Sequence, residues 1–201
     1  YIGDRRAGTV GLPLPGVELI ITDPETGTEK FTNEIGQIEV RGPNVFKGYW
    51  KMPEKTKAEL RENGFFITGD LGKIDIDGYV HILGRDKDLI ISGGYNIYPK
   101  EIEVVLDEQP GIDESAVIGV PHPDYGETPI GVIVPSRELK PNLNVINENL
   151  KQSIASYKHP KKIIIVKQLP RNAMGKVQKN ILRNEYKSSF TAWILNYYYK
   201  N

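Results

Sequence analysis

The fold is decided within one stretch of the chain, GYVHILGRDKDLIISGGYNIYPKEIE, residues 78–103. Before this stretch the pattern is that of strands, and Asp77-Gly78 predicts a two-residue hairpin turn between strands at 71–76 and 79–83. After it Pro99 begins a segment whose apolar residues are spaced three or four apart, as in a helix. The stretch therefore contains a boundary, near residues 84–88, between two kinds of structure.

The part before the boundary is predicted to be rich in strands. Residues 17–22 form an apolar, β-branched run that a turn-forming segment follows, and residues 37–41 are a second candidate. Pro53 is predicted in the first turn of a short helix through residue 60, where its missing N–H removes no hydrogen bond. We expect a β-rich unit over residues 1–86.

The part after the boundary mixes strands with helices. Strands are predicted at residues 88–92, 115–120, 130–134 and 162–166, and helices at the segment from Pro99, at 145–156 and at 177–186. Interleaved strands and helices are typical of a small α/β unit, which we expect over residues 87–190. The chain is thus predicted to be α+β overall, and the aromatic tail, residues 191–201, receives no function.

Composition excludes several classes of protein. Lys plus Arg and Asp plus Glu both number 26, so no general attraction to nucleic acid or to an anionic membrane is expected. The chain has no cysteine, which excludes disulfides, thiolate catalysis and Cys-based zinc sites and fits a reducing compartment. His81 and His122 have no partner at metal-binding spacing, and no metal site is predicted.

The targeting signals of exported and membrane proteins are not found in the sequence. No run reaches the roughly 20 apolar residues that a membrane helix needs, and the N-terminus lacks a charged-then-apolar signal pattern. We therefore expect an intracellular protein, in the cytoplasm or an organelle matrix. Because the chain begins with Tyr1, we interpret it as a fragment of a longer protein.

Four segments carry side chains suited to a nucleotide or a phosphate. Asp70, in FFITGD, offers two acceptor oxygens that suit the adjacent hydroxyls of a ribose, and we expect it in a loop after a strand. The second segment runs from GRDKD through ISGGYNIYP, residues 84–99, and its Arg85 supplies a planar five-donor group. The glycine pair before Tyr95, in ISGGYNIYP, lets the backbone approach a ligand or adopt positive φ.

The other two segments are basic. Lys176, in LPRNAMGKVQKN, can act as a point charge on phosphate, and YKHPKK, residues 157–162, combines an aromatic ring with cationic or titratable groups. Each of the four segments also fits a plain alternative. These alternatives are a solvated acid in a turn, a glycine turn, a basic loop and a helix end with favourable charges.

In their order, these segments resemble the adenylate-forming family of acyl-CoA synthetases, luciferases and peptide-synthetase adenylation domains. The resemblance covers about residues 8–186. It is carried by GQIEVRGPNVFKGYW, FFITGD, GRDKD, ISGGYNIYPKEIE and PRNAMGK, which occur in the family's order. It implies the C-terminal part of a β-rich, distorted-barrel subdomain followed by a small mobile α/β domain.

The resemblance also implies roles for individual residues in ATP chemistry. Asp70 is implied to bind the ribose hydroxyls of ATP, and Arg85 to assist at the ribose and phosphate side. Lys176 is implied as the catalytic residue that bridges the substrate carboxylate and the α-phosphate. Lys87 is implied as the hinge about which the small domain turns between half-reactions. Mg²⁺ is implied on the departing pyrophosphate, with its ligand outside this chain.

The second half-reaction implies a site for coenzyme A. Gly94 is implied to line the channel for the pantetheine arm, while Tyr157, His159 and Lys161 are implied near the coenzyme's phosphates. The branch of the family from which these phosphate contacts are taken has arginine where this sequence has His159.

Four segments are most similar in sequence to malonyl-CoA synthetases, at residues 42–56, 78–103, 114–127 and 169–183. The implied activity is ATP-dependent joining of a carboxylic acid, malonate in this subfamily, to coenzyme A, and the fragment is not expected to turn over by itself. Three alternatives stay open. They are another short- or medium-chain acyl-CoA synthetase, an adenylation domain that loads a carrier-protein thiol, and a non-catalytic interaction module.

Overall fold

The computed structural model describes residues 5–190, which form two compact units that part between Lys87 and Asp88. Helices and largely antiparallel sheets occur together, so the predicted α+β class is confirmed. No helix within the described residues is long and apolar enough to cross a lipid bilayer. The tail, residues 191–201, lies outside the described residues.

The first unit is one antiparallel sheet whose strands follow each other in sequence order. Its elements are β1 (Glu18–Thr22), β2 (Gly36–Arg41), α1 (Pro53–Glu59), β3 (Phe66–Ile74) and β4 (Val80–Arg85). In the part of the chain that the structure describes, this sheet is open, with β1 and β4 at its edges. The expected distorted barrel is therefore not closed here, because closure requires the two edge strands to pair.

The predicted two-residue turn at Asp77-Gly78 is wrong. Asp75 and Tyr79 pair through a backbone hydrogen bond of 3.0 Å, which leaves a three-residue loop with Gly78 at φ +85°. The Asp75 carboxylate accepts hydrogen bonds from the N–H groups of Asp77 and Tyr79, and His81 Nε2 lies 2.9 Å from it. A side chain that caps the turn in this way favours the longer loop, which the local sequence pattern did not reveal.

A buried carboxylate lies at the centre of the first sheet. Glu39 of β2 is fully buried and accepts hydrogen bonds from Thr22 Oγ1 at 2.6 Å and from Arg61 Nε and Nη2 at 2.6 Å each. Burial disfavours the charged carboxylate, but the hydrogen bonds from Arg61 and Thr22 outweigh it, so the pKa of Glu39 is below its ordinary value. This ion pair fixes the segment before β3 against β2.

The second unit is built around strand β8. Its elements are β5 (Ile90–Ser92), β6 (Tyr95–Ile97), α2 (Pro99–Asp107), β7 (Ile112–His122), β8 (Gly126–Pro135), α3 (Leu143–Ser153), β9 (Lys162–Ile165) and α4 (Lys179–Tyr186). The sheet order is β6-β5-β8-β7, and β9 pairs with β8 in parallel. The helix predicted from Pro99 is confirmed, the strands predicted at 115–120 and 130–134 are longer than predicted, and β6 was missed.

Helices cover both faces of this sheet. Alternate residues of β7 point to opposite faces, so Val117 packs with α2 and α3 while Ile118 packs with α4. The helical anchors are Ile102 and Leu106 on one face and Leu182 on the other, each almost completely buried. Because residues 116–120 of β7 and 129–134 of β8 are buried on both faces, these parts of the strands are continuous apolar runs in the sequence.

We expect Arg61→Met to destabilise the first unit by about 3 kcal/mol at neutral pH, because it leaves the buried carboxylate of Glu39 without its cation. The loss should shrink in acid. The folded-state pKa of Glu39 is lowered, so its contribution is present above the ordinary pKa of about 4.3 and is lost as pH falls through the folded value. Denaturant unfolding at pH 7 and pH 3.5 measures both effects.

Arg41→Met is the matched control for this change. Arg41 pairs with Glu18 at 2.5 Å, but Glu18 is largely exposed to water and stays solvated after the change. Removing such an exposed partner is expected to cost no more than about 1 kcal/mol. Equal losses in the two variants would contradict a special role for the buried pair.

Candidate functional site

Asp70 lies inside strand β3, so the predicted position in a loop after a strand is wrong. Between two ladder pairs of β2 and β3, one residue of β2 faces three residues of β3, residues 68–70. Gly69 has φ +71°, which a glycine adopts without strain. The strand bulges at Asp70 and then resumes, and a bulge of this kind re-aims side chains at the edge of a sheet.

Asp70 and Arg85 form an ion pair. They lie directly opposite each other on β3 and β4, with Arg85 Nε 2.9 Å from Asp70 Oδ1. Arg85 Nη1 also donates to the carbonyl oxygen of Thr68 at 3.0 Å, which fixes the plane of the guanidinium. The side chain of Asp70 is 25% exposed and that of Arg85 50% exposed, so a ligand can reach both.

Lys87 lies in the middle of the 3₁₀ turn Asp86–Asp88, is exposed, and ends the first unit. The next residue, Asp88, forms an ion pair with Arg183 of α4 and so belongs to the second unit. The hydrogen-bonded ladder of β4 ends at Arg85. Lys87 therefore lies between the last pairing of one unit and the first anchor of the other.

The glycine pair forms a tight hairpin turn between β5 and β6. Ser92 and Tyr95 are partners in the ladder, and the two residues between them, Gly93 and Gly94, have φ +56° and φ +83°. Two consecutive residues with positive φ are the signature of a type I′ turn. The N–H of Gly93 donates to the carbonyl oxygen of Tyr125 at 2.9 Å, which attaches the turn to the start of β8.

A pocket of about 290 Å³ opens beside this turn. The rings of Tyr95 and Tyr157 stack in it with centroids 4.6 Å apart, and Lys161 Nζ lies 5.4 Å from the ring centroid of Tyr125. Ser92, Gly93 and Ser156 complete its lining. Aromatic faces beside an ammonium group suit a flat ring that carries phosphate.

A neighbouring ion pair holds Tyr157 in place. Lys158 Nζ donates to Glu101 Oε2 at 2.6 Å and so joins the 3₁₀ turn Ser156–Lys158 to the first turn of α2. Burial disfavours the ammonium, but the hydrogen bond and the charge of Glu101 outweigh it and raise the pKa of Lys158 above its ordinary value. Lys158 therefore stays charged at neutral pH.

His159 and Gly94 are not among the residues that line this pocket. His159 Nε2 lies 3.0 Å from the carbonyl oxygen of Ile154, so this ring nitrogen donates a hydrogen bond to the chain's own loop. Gly94 is exposed at the tip of the hairpin, and a Cβ there would meet no atom within 4 Å. Of the residues predicted for coenzyme A, only Tyr157 and Lys161 are brought together in the pocket.

Lys176 is exposed near the tip of a loop between β9 and α4. Arg171 and Val177 pair across the base of the loop, and the N–H of Asn172 donates to the carbonyl oxygen of Lys176 at 2.9 Å. Gly175 has φ +78° and allows the chain to reverse. The backbone of the loop is thus ordered by its own hydrogen bonds, while the ammonium group extends into solvent.

Two family models match the chain in consecutive regions. The model described as AMP-binding enzyme matches residues 2–50, and the model described as AMP-binding enzyme C-terminal domain matches residues 101–176. The chain belongs to the AMP-binding enzyme family. The predicted resemblance to adenylate-forming enzymes is confirmed, and the two models fall in the two units of the fold.

Several relatives of this chain are CoA ligases by name. "Probable CoA ligase CCL8" of Humulus lupulus is 43% identical over 91% of this chain and 32% of its own length. "Malonate--CoA ligase" of Arabidopsis thaliana is also 43% identical, over 90% of this chain and 31% of its own length. Others at 40–44% identity are named for long-chain fatty acids, 2-succinylbenzoate and feruloyl-CoA. The chain spans about a third of the length of these relatives.

Solved structures match it over nearly the whole chain. The ATP-bound structure of MatB from Rhodopseudomonas palustris is 59% identical with a TM-score of 0.90, and covers 94% of this chain and 38% of its own. The apo structure of the same protein has the same identity and coverage but a TM-score of 0.73. Because the two share one sequence, MatB itself takes two shapes over the matched region.

The sequence did not predict two tyrosines of the pocket. Tyr95 follows Gly94 directly, so its position beside a glycine turn was a usable signal. Tyr125 is about 30 residues away in sequence and reaches the pocket because Ser92 of β5 pairs with Gly126 of β8. This single long-range pair left no local pattern that could have been recognised.

Proposed function

We propose that the protein containing this chain is an AMP-forming acid–thiol ligase. In the first half-reaction, a carboxylate oxygen bonds to the α-phosphorus of ATP, and the bond to pyrophosphate breaks. In the second, the sulfur of coenzyme A bonds to the acyl carbon and AMP leaves. Family membership and the CoA-ligase names of the relatives support this activity. The activity belongs to the whole protein, of which the chain covers about a third.

The observation that carries the proposal is the accessible ion pair of Asp70 and Arg85. The carboxylate of Asp70 accepts hydrogen bonds from the ribose hydroxyls of ATP, since two acceptor oxygens match two neighbouring donors. Arg85 holds that carboxylate at 2.9 Å and presents its remaining donors to the ribose and phosphate side. The two groups act as one unit because adjacent strands hold them opposite each other.

Lys176 supplies the catalytic charge of the first half-reaction. A carboxylate that attacks ATP approaches a phosphorus already surrounded by negative oxygens. An ammonium placed between the carboxylate and the α-phosphate offsets this repulsion and stabilises the charge that develops in the transition state. The exposed side chain on an ordered loop is suited to enter a site and to leave it.

Mg²⁺ is implied for the departing pyrophosphate, and its ligand is expected outside this chain. No group of three or more His, Cys, Asp or Glu side chains in residues 5–190 is arranged to hold a metal ion. Asp70 lies beside the Arg85 guanidinium, whose positive charge disfavours a cation there. The protein ligands of Mg²⁺ are proposed to lie in other parts of the protein.

Lys87 acts as the hinge between the two half-reactions. Its position between the last ladder pair of one unit and the first ion pair of the other supports this role, because changes in the torsions of Lys87 break no strand pairing of either sheet. The two shapes of MatB, with TM-scores of 0.90 and 0.73 to this chain, support a conformational change in that relative. Turning at Lys87 withdraws Lys176 and brings the Gly94 turn to the acyl group.

Coenzyme A binds to the second unit. The Tyr95–Tyr157 stack and Lys161 support a site for its nucleotide end, and the pantetheine arm passes the Gly94 turn, where no side chain obstructs it. His159 takes part only after its ring leaves the carbonyl oxygen of Ile154. Lys161 therefore makes the principal charge contact with phosphate on this surface.

Malonate is the acid that we propose. A malonate ligase is among the relatives at 43% identity, within the 40–44% range of relatives named for other acids, and four segments of the sequence are most similar to malonyl-CoA synthetases. A pocket built to pair a second carboxylate rejects acids that lack it, because its polar groups are then left without partners. We place these groups outside the present chain.

Lys176→Ala in the full-length protein is expected to lower the rate of adenylate formation by about 100-fold or more, as removal of one transition-state charge contact does. Thioester formation from preformed malonyl-adenylate should remain close to that of the unchanged protein. Pyrophosphate exchange and single-turnover thioester assays measure the two steps separately. The matched control is Lys167→Ala, another exposed lysine, and equal loss of both half-reactions in Lys176→Ala would contradict the role.

Lys87→Pro is expected to impair the second half-reaction selectively, by roughly tenfold or more, because proline fixes φ near −65° and restricts the residue before it. Lys87→Ala serves as the control, since it removes the same side chain and leaves the torsions mobile. The assays are the two half-reactions in the full-length protein. If Lys87→Pro does not lower the overall rate, Lys87 is not the hinge.

A substrate panel tests the acid and the acceptor together. We expect kcat/KM for malonate to exceed that for acetate by about 100-fold or more, since acetate leaves the groups that pair the second carboxylate unsatisfied. Methylmalonate, longer acids, free coenzyme A and a phosphopantetheinyl carrier protein complete the panel. Equal kcat/KM values for acetate and malonate would overturn malonate as the substrate but leave the proposed ligase activity standing. Preference for the carrier protein would overturn coenzyme A as the acceptor.

A further inference from the structure

Asn172 engages the backbone of Lys176 on both sides. Its side-chain Oδ1 accepts a hydrogen bond from the N–H of Lys176 at 2.9 Å and another from the N–H of Met174 at 3.0 Å. Its own N–H donates to the carbonyl oxygen of Lys176 at 2.9 Å, and its carbonyl accepts from Gly175 at 2.9 Å. Both backbone groups of the proposed catalytic lysine are therefore held by one residue.

The base of this loop is anchored in the core of the second unit. Leu169 is buried, and Val177 packs against the same cluster, which β7, β8 and α4 share. The N–H of Gln178 donates to the carbonyl oxygen of Pro170 at 2.8 Å and closes the base. The position of the loop is thus set by packing, and the direction of its tip is left to the polar contacts above the base.

Arg171 provides a second support for the tip. Its Nη1 donates to the carbonyl oxygen of Gly175 at 2.6 Å, and its Nη2 bonds to the carboxylate of Glu114 on β7. The peptide group between Gly175 and Lys176 is therefore held from both sides, its N–H by Asn172 and its carbonyl by Arg171. A peptide plane held at both ends fixes the direction in which the lysine leaves the chain.

We propose that Asn172 is a positioning residue for Lys176, an inference that rests on the catalytic role proposed above for that lysine. A lysine side chain has a flexible four-carbon stem, so its ammonium reaches a defined point only if the backbone from which it departs is fixed. Asn172 is exposed, as are its neighbours up to Lys176. Its hydrogen bonds therefore do not support the core, and their effect is on the orientation of the loop.

Asn172→Ala in the full-length protein is expected to lower kcat for adenylate formation by about 10- to 100-fold, the cost of a catalytic group displaced by about an ångström. KM for ATP, thioester formation from preformed adenylate and the midpoint of thermal unfolding should stay unchanged. Asn172→Asp should restore most of the rate, because it offers the same acceptor oxygen to the two N–H groups. Asn180→Ala, an exposed asparagine on α4, is the matched control.

The decisive experiment places Asn172→Ala on the Lys176→Ala background. If Asn172 acts through the lysine, its removal slows adenylate formation no further in the absence of the ammonium. An equal factor in both backgrounds would show an independent effect and overturn the proposal. So would a loss in both half-reactions together with a lowered unfolding midpoint, or a failure of Asn172→Asp to restore the rate.

The proposed function can fail separately in the same experiment. Lys176→Ala alone tests the lysine, and an unchanged rate of adenylate formation in that variant would overturn both proposals. A large loss in Lys176→Ala with no loss in Asn172→Ala would leave the function standing and overturn only the positioning role. Each outcome thus identifies which of the two ideas fails.

Discussion

The second unit depends on the burial of strands β7 and β8 on both faces. Two apolar strands side by side offer helices a surface above and below, so α2 and α3 pack on one face and α4 on the other. The groups of this unit that are proposed to act chemically are connected to this pair of strands. The Gly93 turn bonds to the start of β8, and the Lys176 loop begins and ends in the cluster beneath α4. Substituting a polar group for Val132, which is fully buried in β8, would disturb both.

The first unit differs from the second because charged side chains lie within its small sheet. Glu39 is buried and must be matched by Arg61 and Thr22, whereas Asp70 is only partly buried and is matched by Arg85. The first carboxylate has all its charge engaged inside the sheet. The second lies at a bulge where the ladder is interrupted and water has access. Two acid–arginine pairs of the same chemistry thus have different roles. The Glu39–Arg61 pair stabilises the sheet, and the Asp70–Arg85 pair is accessible to a ligand.

Local patterns predicted the elements well, and long-range register explains what they missed. The helix that begins at Pro99 and the apolar strands of the second unit follow from spacing and burial, which neighbouring residues determine. The bulge at Asp70 depends on how β3 lines up with β2, and the position of Tyr125 depends on one pair between β5 and β8. The turn at Gly78 is one residue longer than its local pattern predicts because the Asp75 carboxylate caps it.

The anchoring of the Lys176 loop has a consequence for the rate of the proposed first half-reaction. The loop is anchored in the core at Leu169 and Val177 and is bonded to β7 through Arg171. It therefore does not move independently of the second unit. The ammonium group of Lys176 therefore moves only together with the second unit. Isolated loops fluctuate within nanoseconds to microseconds, but collective displacements take microseconds to milliseconds. In the proposed reaction, the approach of this charge to the nucleotide is therefore limited by the slower, collective displacement, and higher solvent viscosity should slow it directly.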